Sequence, residues 1–102
     1  MNTYKKGRRG EKRVASWARK RGNKYVRLSP GSRGSYDVSW TTLKGNRAYA
    51  QVKSGTARMS RKEKRKLIKY AKKKRGNALY VRENRGKIKA RSLGIFAKKR
   101  RR

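Results

Sequence analysis

Ser29 to Lys53 reads SPGSRGSYDVSWTTLKGNRAYAQVK, and its second half decides the fold. Tyr36–Leu43 and Arg47–Lys53 are rich in β-branched and aromatic residues, and Lys44-Gly45-Asn46 between them offers Gly and Asn for a three-residue turn with positive φ. With Leu43 opposite Arg47, the hairpin pairs Trp40 with Ala50, Ser39 with Gln51, Val38 with Val52 and Asp37 with Lys53. Side chains alternate along a strand, so Val38, Trp40, Ala48, Ala50 and Val52 share one face, and Asp37, Gln51 and Lys53 share the other. A slip of one residue would part Asp37 from Gln51 and Lys53.

Upstream, the spacing of Val14, Ala15, Trp17 and Ala18 predicts a helix over Arg8–Lys20 closing at Gly22, with residues 1–6 a loose basic arm. Glu11 falls in register with Val14, Ala15 and Ala18. It is either a first-turn acid that favours the helix dipole and pairs with a nearby Arg, or a carboxylate beside a metal. Lys24–Leu28 reads as a strand. Ser29-Pro30-Gly31-Ser32-Arg33-Gly34 is a loop whose hydroxyls, backbone N–H groups and Arg33 suit phosphate, or else a plain turn. Downstream, a second helix runs from Arg61 to Lys74 and ends at Gly76, opened by a Ser60/Glu63 capping box. Asn77–Arg82 and Lys87–Arg91 follow as strands joined by Glu83-Asn84-Arg85-Gly86. Ser92–Phe96 either covers its own sheet or meets a second subunit, and 97–102 is a basic disordered tail. The fold class is α/β: a small mixed β-sheet flanked by helices, in the order α-β-β-β-α-β with a last strand after it, as one domain over 1–96.

Composition narrows the chemistry. In 102 residues there are 36 Lys and Arg against four Asp and Glu, a net charge of +32, which calls for a polyanionic partner. No long apolar run or signal sequence points to a membrane, so nucleic acid is the partner and the cytoplasm, in association with the nucleoid, is the expected location; a virus-encoded protein inside a host cell fits equally. The chain has no Cys and no His, which excludes disulfides, thiol nucleophiles, His-based acid–base catalysis and structural zinc. Oxygen-ligated metals remain. Of the four acids, Glu63 is accounted for by the capping box and Glu83 by a turn that relieves positive charge; Glu11 and Asp37 are left over.

Asp37, a spacer, then Gln51-Val52-Lys53 on the next strand resembles the PD-(D/E)xK nuclease signature, with Gln in the place of the second acid. Lys6-Gly7-Arg8-Arg9-Gly10-Glu11, Gly31-Ser32-Arg33-Gly34 before the Asp and the basic stretch Ser60–Arg75 are similar, in that order, to the archaeal Holliday-junction resolvases, over about residues 5 to 82. Gln at this position is also characteristic of the Mrr restriction nucleases.

The resemblance implies a restriction-endonuclease-like core and a homodimer that cuts four-way DNA junctions with Mg²⁺, or Mn²⁺ as substitute, and needs no small-molecule cofactor. It implies Asp37 as central metal ligand, Glu11 and the Gln51 amide oxygen as further ligands, Lys53 as the group that positions the nucleophile, and Ser32 as the loop serine near the scissile phosphate, with Ser29 and Ser35 as alternatives. Nucleic-acid contacts fall to Arg8, Arg9, Arg33, Lys62, Arg65, Lys66, Lys69 and Lys73, while Tyr70 either packs or stacks. The competing reading is a non-catalytic DNA- or RNA-binding protein of ribosomal or chromatin type, which composition alone favours.

Overall fold

The computed structural model describes residues 3–29 and 34–96; Ser32, Arg33 and the tail 97–102 lie outside the described residues. Its elements are α1 (Thr3–Lys20), β1 (Lys24–Leu28), β2 (Val38–Thr41), β3 (Arg47–Ser54), α2 (Arg61–Lys74), β4 (Asn77–Asn84) and β5 (Lys87–Ile95). The five strands form one mixed sheet in sequence order. Every neighbouring pair is antiparallel except β3 and β4, which are parallel. A parallel pair needs a crossover, and α2 supplies it.

The helices lie against opposite faces. Val14, Ala15 and Ala18 of α1 are buried with Val38, Trp40, Ala48, Ala50, Val52 and Val81, and the Trp17 ring meets that of Trp40 edge-on at 6.2 Å between centroids. On the other face Leu67 and Ala71 of α2 pack on Tyr49 and Ala78. The expected apolar face of the hairpin is therefore the α1 face.

The hairpin register differs from the expected one by two residues. Val38 pairs with Ala50, Ser39 with Tyr49, Trp40 with Ala48 and Thr41 with Arg47. The turn begins one residue earlier, at Leu43-Lys44-Gly45. Thr42 N–H donates to Asn46 O at 2.8 Å, Gly45 N–H donates to Thr42 O at 2.9 Å, and Gly45 takes the left-handed backbone (φ 84°). Gly bears positive φ more cheaply than Asn, and that preference chose the register. Because the slip is an even number of residues, both faces keep their members, but Asp37 now stands across from Gln51.

Other boundaries also move. Helix α1 starts at Thr3, so the expected arm is helical from that residue. Between Thr3 and Arg8 only Gly7 opposes a helix, at about 1 kcal/mol. Helix α2 ends through Arg75 in the left-handed conformation (φ 54°), ahead of Gly76. Strands β4 and β5 are longer than expected and turn at Arg85-Gly86, both with positive φ. The late apolar stretch belongs to its own sheet: Ser92–Ile95 ends β5, and Leu93 and Phe96 pack toward α2. Among the described residues no helix is long and apolar enough to cross a membrane.

Glu83 serves the turn as expected, accepting from Gly86 N–H, and is a buried anchor as well. Its carboxylate accepts from Arg13 Nη1 (3.0 Å), Gly86 N–H (2.9 Å) and Ser54 Oγ (3.3 Å), tying α1 to the ends of β3 and β4. Gly10 is buried beside it, where a Cβ would collide with Ser54 Oγ. Alanine at Gly10 gains about 1 kcal/mol of helix propensity but forces Ser54 off Glu83, an overpacking cost of about 1–3 kcal/mol. Gly10→Ala is therefore expected to lower the urea midpoint in the otherwise unchanged protein and to raise it in a Ser54→Ala background.

Candidate active site

Asp37 lies where β2 begins, and three bonds fasten it there. Its N–H donates to Ala50 O (2.8 Å), its carbonyl accepts from Ser29 N–H (2.8 Å), and its Oδ2 accepts from Val52 N–H (2.8 Å). The carboxylate therefore takes up a β3 donor just past the end of the β2–β3 ladder. Burial raises its pKa most; the Val52 bond and the charges of Lys53 and Arg8 pull it down without cancelling that rise, while Glu63 adds to it.

On the α2 side the expected residues do come together, around an acid to which the sequence reading gave only a structural role. Glu63 keeps the expected capping box, accepting from Ser60 N–H through Oε1 (3.0 Å) while its own N–H donates to Ser60 Oγ (3.1 Å). Its Oε2 accepts from Lys53 Nζ at 2.6 Å and from Gln51 Nε2 at 3.0 Å. Burial works against its charge, but the bonds from Lys53 and Ser60 prevail and bring its pKa down from 4.5 to about 2. Glu63, with its lowered pKa, is ionised and so acceptor-only, and Gln51 turns its NH₂ toward it. This leaves Gln51 Oε1 buried without a hydrogen-bond partner.

On the α1 side Glu11 stands apart from that set. It lies in mid-helix, not in the first turn, so the dipole account lapses; the expected Arg pairing is present, with Arg8 Nη1 at 3.1 Å. The same Arg8 nitrogen donates to Ser29 O at 3.0 Å. Burial raises the Glu11 pKa first, and the charge of Asp37 raises it further, against Arg8. Among the described residues no three acids gather into a ready-made cation cage.

Of the expected nucleic-acid contacts, Lys62, Arg65, Lys66 and Lys69 line one shallow groove along α2, with Lys73 exposed a turn further on. Arg9 is exposed, and Arg8 is half-buried and engaged by Glu11 and Ser29. Tyr70 packs: its ring lies 5.3 Å from that of Tyr36 and 5.0 Å from that of Tyr49. Of the alternatives to Ser32, Ser29 is buried and Ser35 half-buried. Three cations went unnoticed in the sequence. Lys53 pairs with Arg82 and Arg82 with Lys89, while Gln51 pairs with Tyr80 and Tyr80 with Arg91. Directly paired residues share a face, so two rows lead from the site across β4 and β5 at a strand spacing of about 4.8 Å.

No protein-family model matches the chain, and no curated protein matches it. What the site can do therefore rests on its own geometry.

A carboxylate whose folded pKa lies below its unfolded value adds stability above the unfolded value and loses it as pH falls through the folded one. Glu63→Gln keeps the capping-box acceptor but removes the charge. Urea midpoints are expected to favour the unsubstituted protein over Glu63→Gln above pH 4.5, with the advantage shrinking as pH falls toward about 2.

Proposed function

We propose that this protein is a metal-dependent, structure-selective DNA endonuclease with a restriction-endonuclease-like core, acting on four-way junctions as a homodimer. The observation that carries the reading is the convergence of Asp37, Gln51 and Lys53 at one end of the β2–β3 pair, with the Gln51 amide oxygen buried and unpartnered. An orphaned buried oxygen normally costs about 1–3 kcal/mol, and a bound cation relieves that cost.

A divalent cation fits this donor set. Asp37 Oδ1 and Gln51 Oε1 are hard oxygen donors of the kind Mg²⁺ and Mn²⁺ take, and Glu11, whose ionisation responds to Asp37, is a candidate further ligand. When bound, such a cation supplies Lewis acidity, neutralising phosphate charge and acidifying water. The chain does the rest. Val52 N–H orients Asp37, Lys53 brings positive charge to where negative charge develops, and the rows Lys53–Arg82–Lys89 and Gln51–Tyr80–Arg91 offer a path for a phosphate backbone. Burial of Asp37 and Glu11 favours their protonated forms, so cation affinity falls as pH drops into the carboxylate range.

The decisive experiment is cleavage of a labelled four-way junction beside linear duplex and single strand, with Mg²⁺ or with chelator. Paired symmetric nicks that need the metal are expected at the junction. Metal-dependent cutting of every substrate removes the junction selectivity and keeps the nuclease; salt-sensitive binding without cutting favours the non-catalytic reading. Asp37→Asn retains an oxygen acceptor for Val52 N–H, so it is expected to abolish cutting while junction affinity, read by gel shift, holds. Arg82→Ala and Lys89→Ala are each expected to weaken binding to all sequences alike and to reduce the salt slope by about one unit.

A further inference from the structure

Position 51 carries an amide where a nuclease of this pattern carries its second acid, and the structure holds another carboxylate against that amide. Glu63 comes from a different element, the first turn of α2, yet its Oε2 touches both Gln51 Nε2 (3.0 Å) and Lys53 Nζ (2.6 Å). Gln51 is nine-tenths buried, and its Oε1 has no partner. The capping box holds Glu63 in place by its backbone N–H and its other oxygen, Oε1, leaving Oε2 to face the site. A capping glutamate needs no partner on β3, so the helix start alone does not explain the pair of contacts.

We propose that Glu63 supplies the carboxylate that position 51 lacks, completing with Asp37 and the Gln51 amide oxygen a divalent-cation site assembled from β2, β3 and α2. This rests on the nuclease reading and extends it to a residue outside the strand motif. Charge explains the arrangement. Asp37 with a neutral amide holds a dication weakly, and the charge of Glu11 is already met by Arg8, so a further anion strengthens the site. Until a cation is bound, Glu63 Oε2 is neutralised by Lys53, so the two cations compete for one oxygen. With a dication held by Asp37, Gln51 and Glu63, Lys53 would be released from Oε2, and its ammonium would be available to the scissile phosphate.

The test is a Mn²⁺ titration of the intact protein without DNA, followed by the loss of the free-ion electron paramagnetic resonance signal. It is run on the unsubstituted protein, Asp37→Asn, Glu63→Gln and the double variant Gln51→Glu/Glu63→Gln, each shown by circular dichroism to be fully folded at the titration temperature. Asp37→Asn and Glu63→Gln are each expected to bind Mn²⁺ about ten-fold or more weakly, and the double variant to recover most of the loss. Retained affinity in Glu63→Gln with loss in Asp37→Asn overturns the role of Glu63 and leaves the nuclease reading intact. Loss in Glu63→Gln without recovery in the double variant also overturns it, since Glu63 would not be standing in for an acid at position 51. No Mn²⁺ binding by the unsubstituted protein, or binding that Asp37→Asn does not change, overturns the metal site and the nuclease reading together. If Glu63→Gln fails to fold, Glu63→Asp, which keeps the charge but shortens its reach, is read in its place.

Discussion

The bond from Val52 N–H to the Asp37 carboxylate joins the architecture to the chemistry. It lets a side chain continue the β2–β3 ladder where the strands begin to part, while the backbone of the same residue pairs with Ala50 on one side and Ser29 on the other. Asp37 thus fixes the approach of β1, the exit of the loop that follows it, and the end of β3 bearing Gln51 and Lys53. Everything downstream inherits that alignment. β3 sets the parallel register of β4, β4 sets β5, and α2 is pinned over the site through Glu63.

Much of this was legible because it depends on period and on local punctuation. The two faces of the hairpin followed from alternation, and they survived an error in the turn because the slip was even. The span of α2 followed from its capping box at Ser60 and its last turn before Arg75-Gly76. What escaped was of two kinds. One was a choice between adjacent residues of similar turn character, Gly45 against Asn46, decided by a modest difference in the cost of positive φ. The other was long-range. Nothing in the order of residues says that the glutamate of a capping box reaches across to β3, or that Arg82 and Lys89 fall beside Lys53, because both depend on how the α2 crossover lays β4 against β3. The turn role of Glu83 was legible, but its anchoring role was not, because its partner Arg13 lies seventy residues away.

Electrostatics explains why four acids suffice. Three are spent in ion pairs, Glu11 with Arg8, Glu63 with Lys53 and Glu83 with Arg13, and the fourth is tied to a backbone donor. The pairs of Glu63 and Glu83 neutralise a cation at a junction between helix and strand, where uncompensated charge would push the two apart, whereas Glu11 and Arg8 both belong to α1. Among the described residues the other basic groups have no ion pair. They repel one another across a small domain with a thin core, so any polyanion that bound this surface would stabilise the fold.

The close approach at Gly10 has a mechanical side. Helix α1 spans 18 residues, about 27 Å, and crosses the sheet with its backbone pressed on Ser54 near the helix midpoint. Two contacts of different kind thus hold one helix: at Gly10 the backbone itself lies against Ser54, and nearly two turns further along Trp17 meets Trp40 edge-on. Glu11 sits one residue from the backbone contact, so its height above the sheet is set by backbone against strand and not by the rotamer of a long side chain.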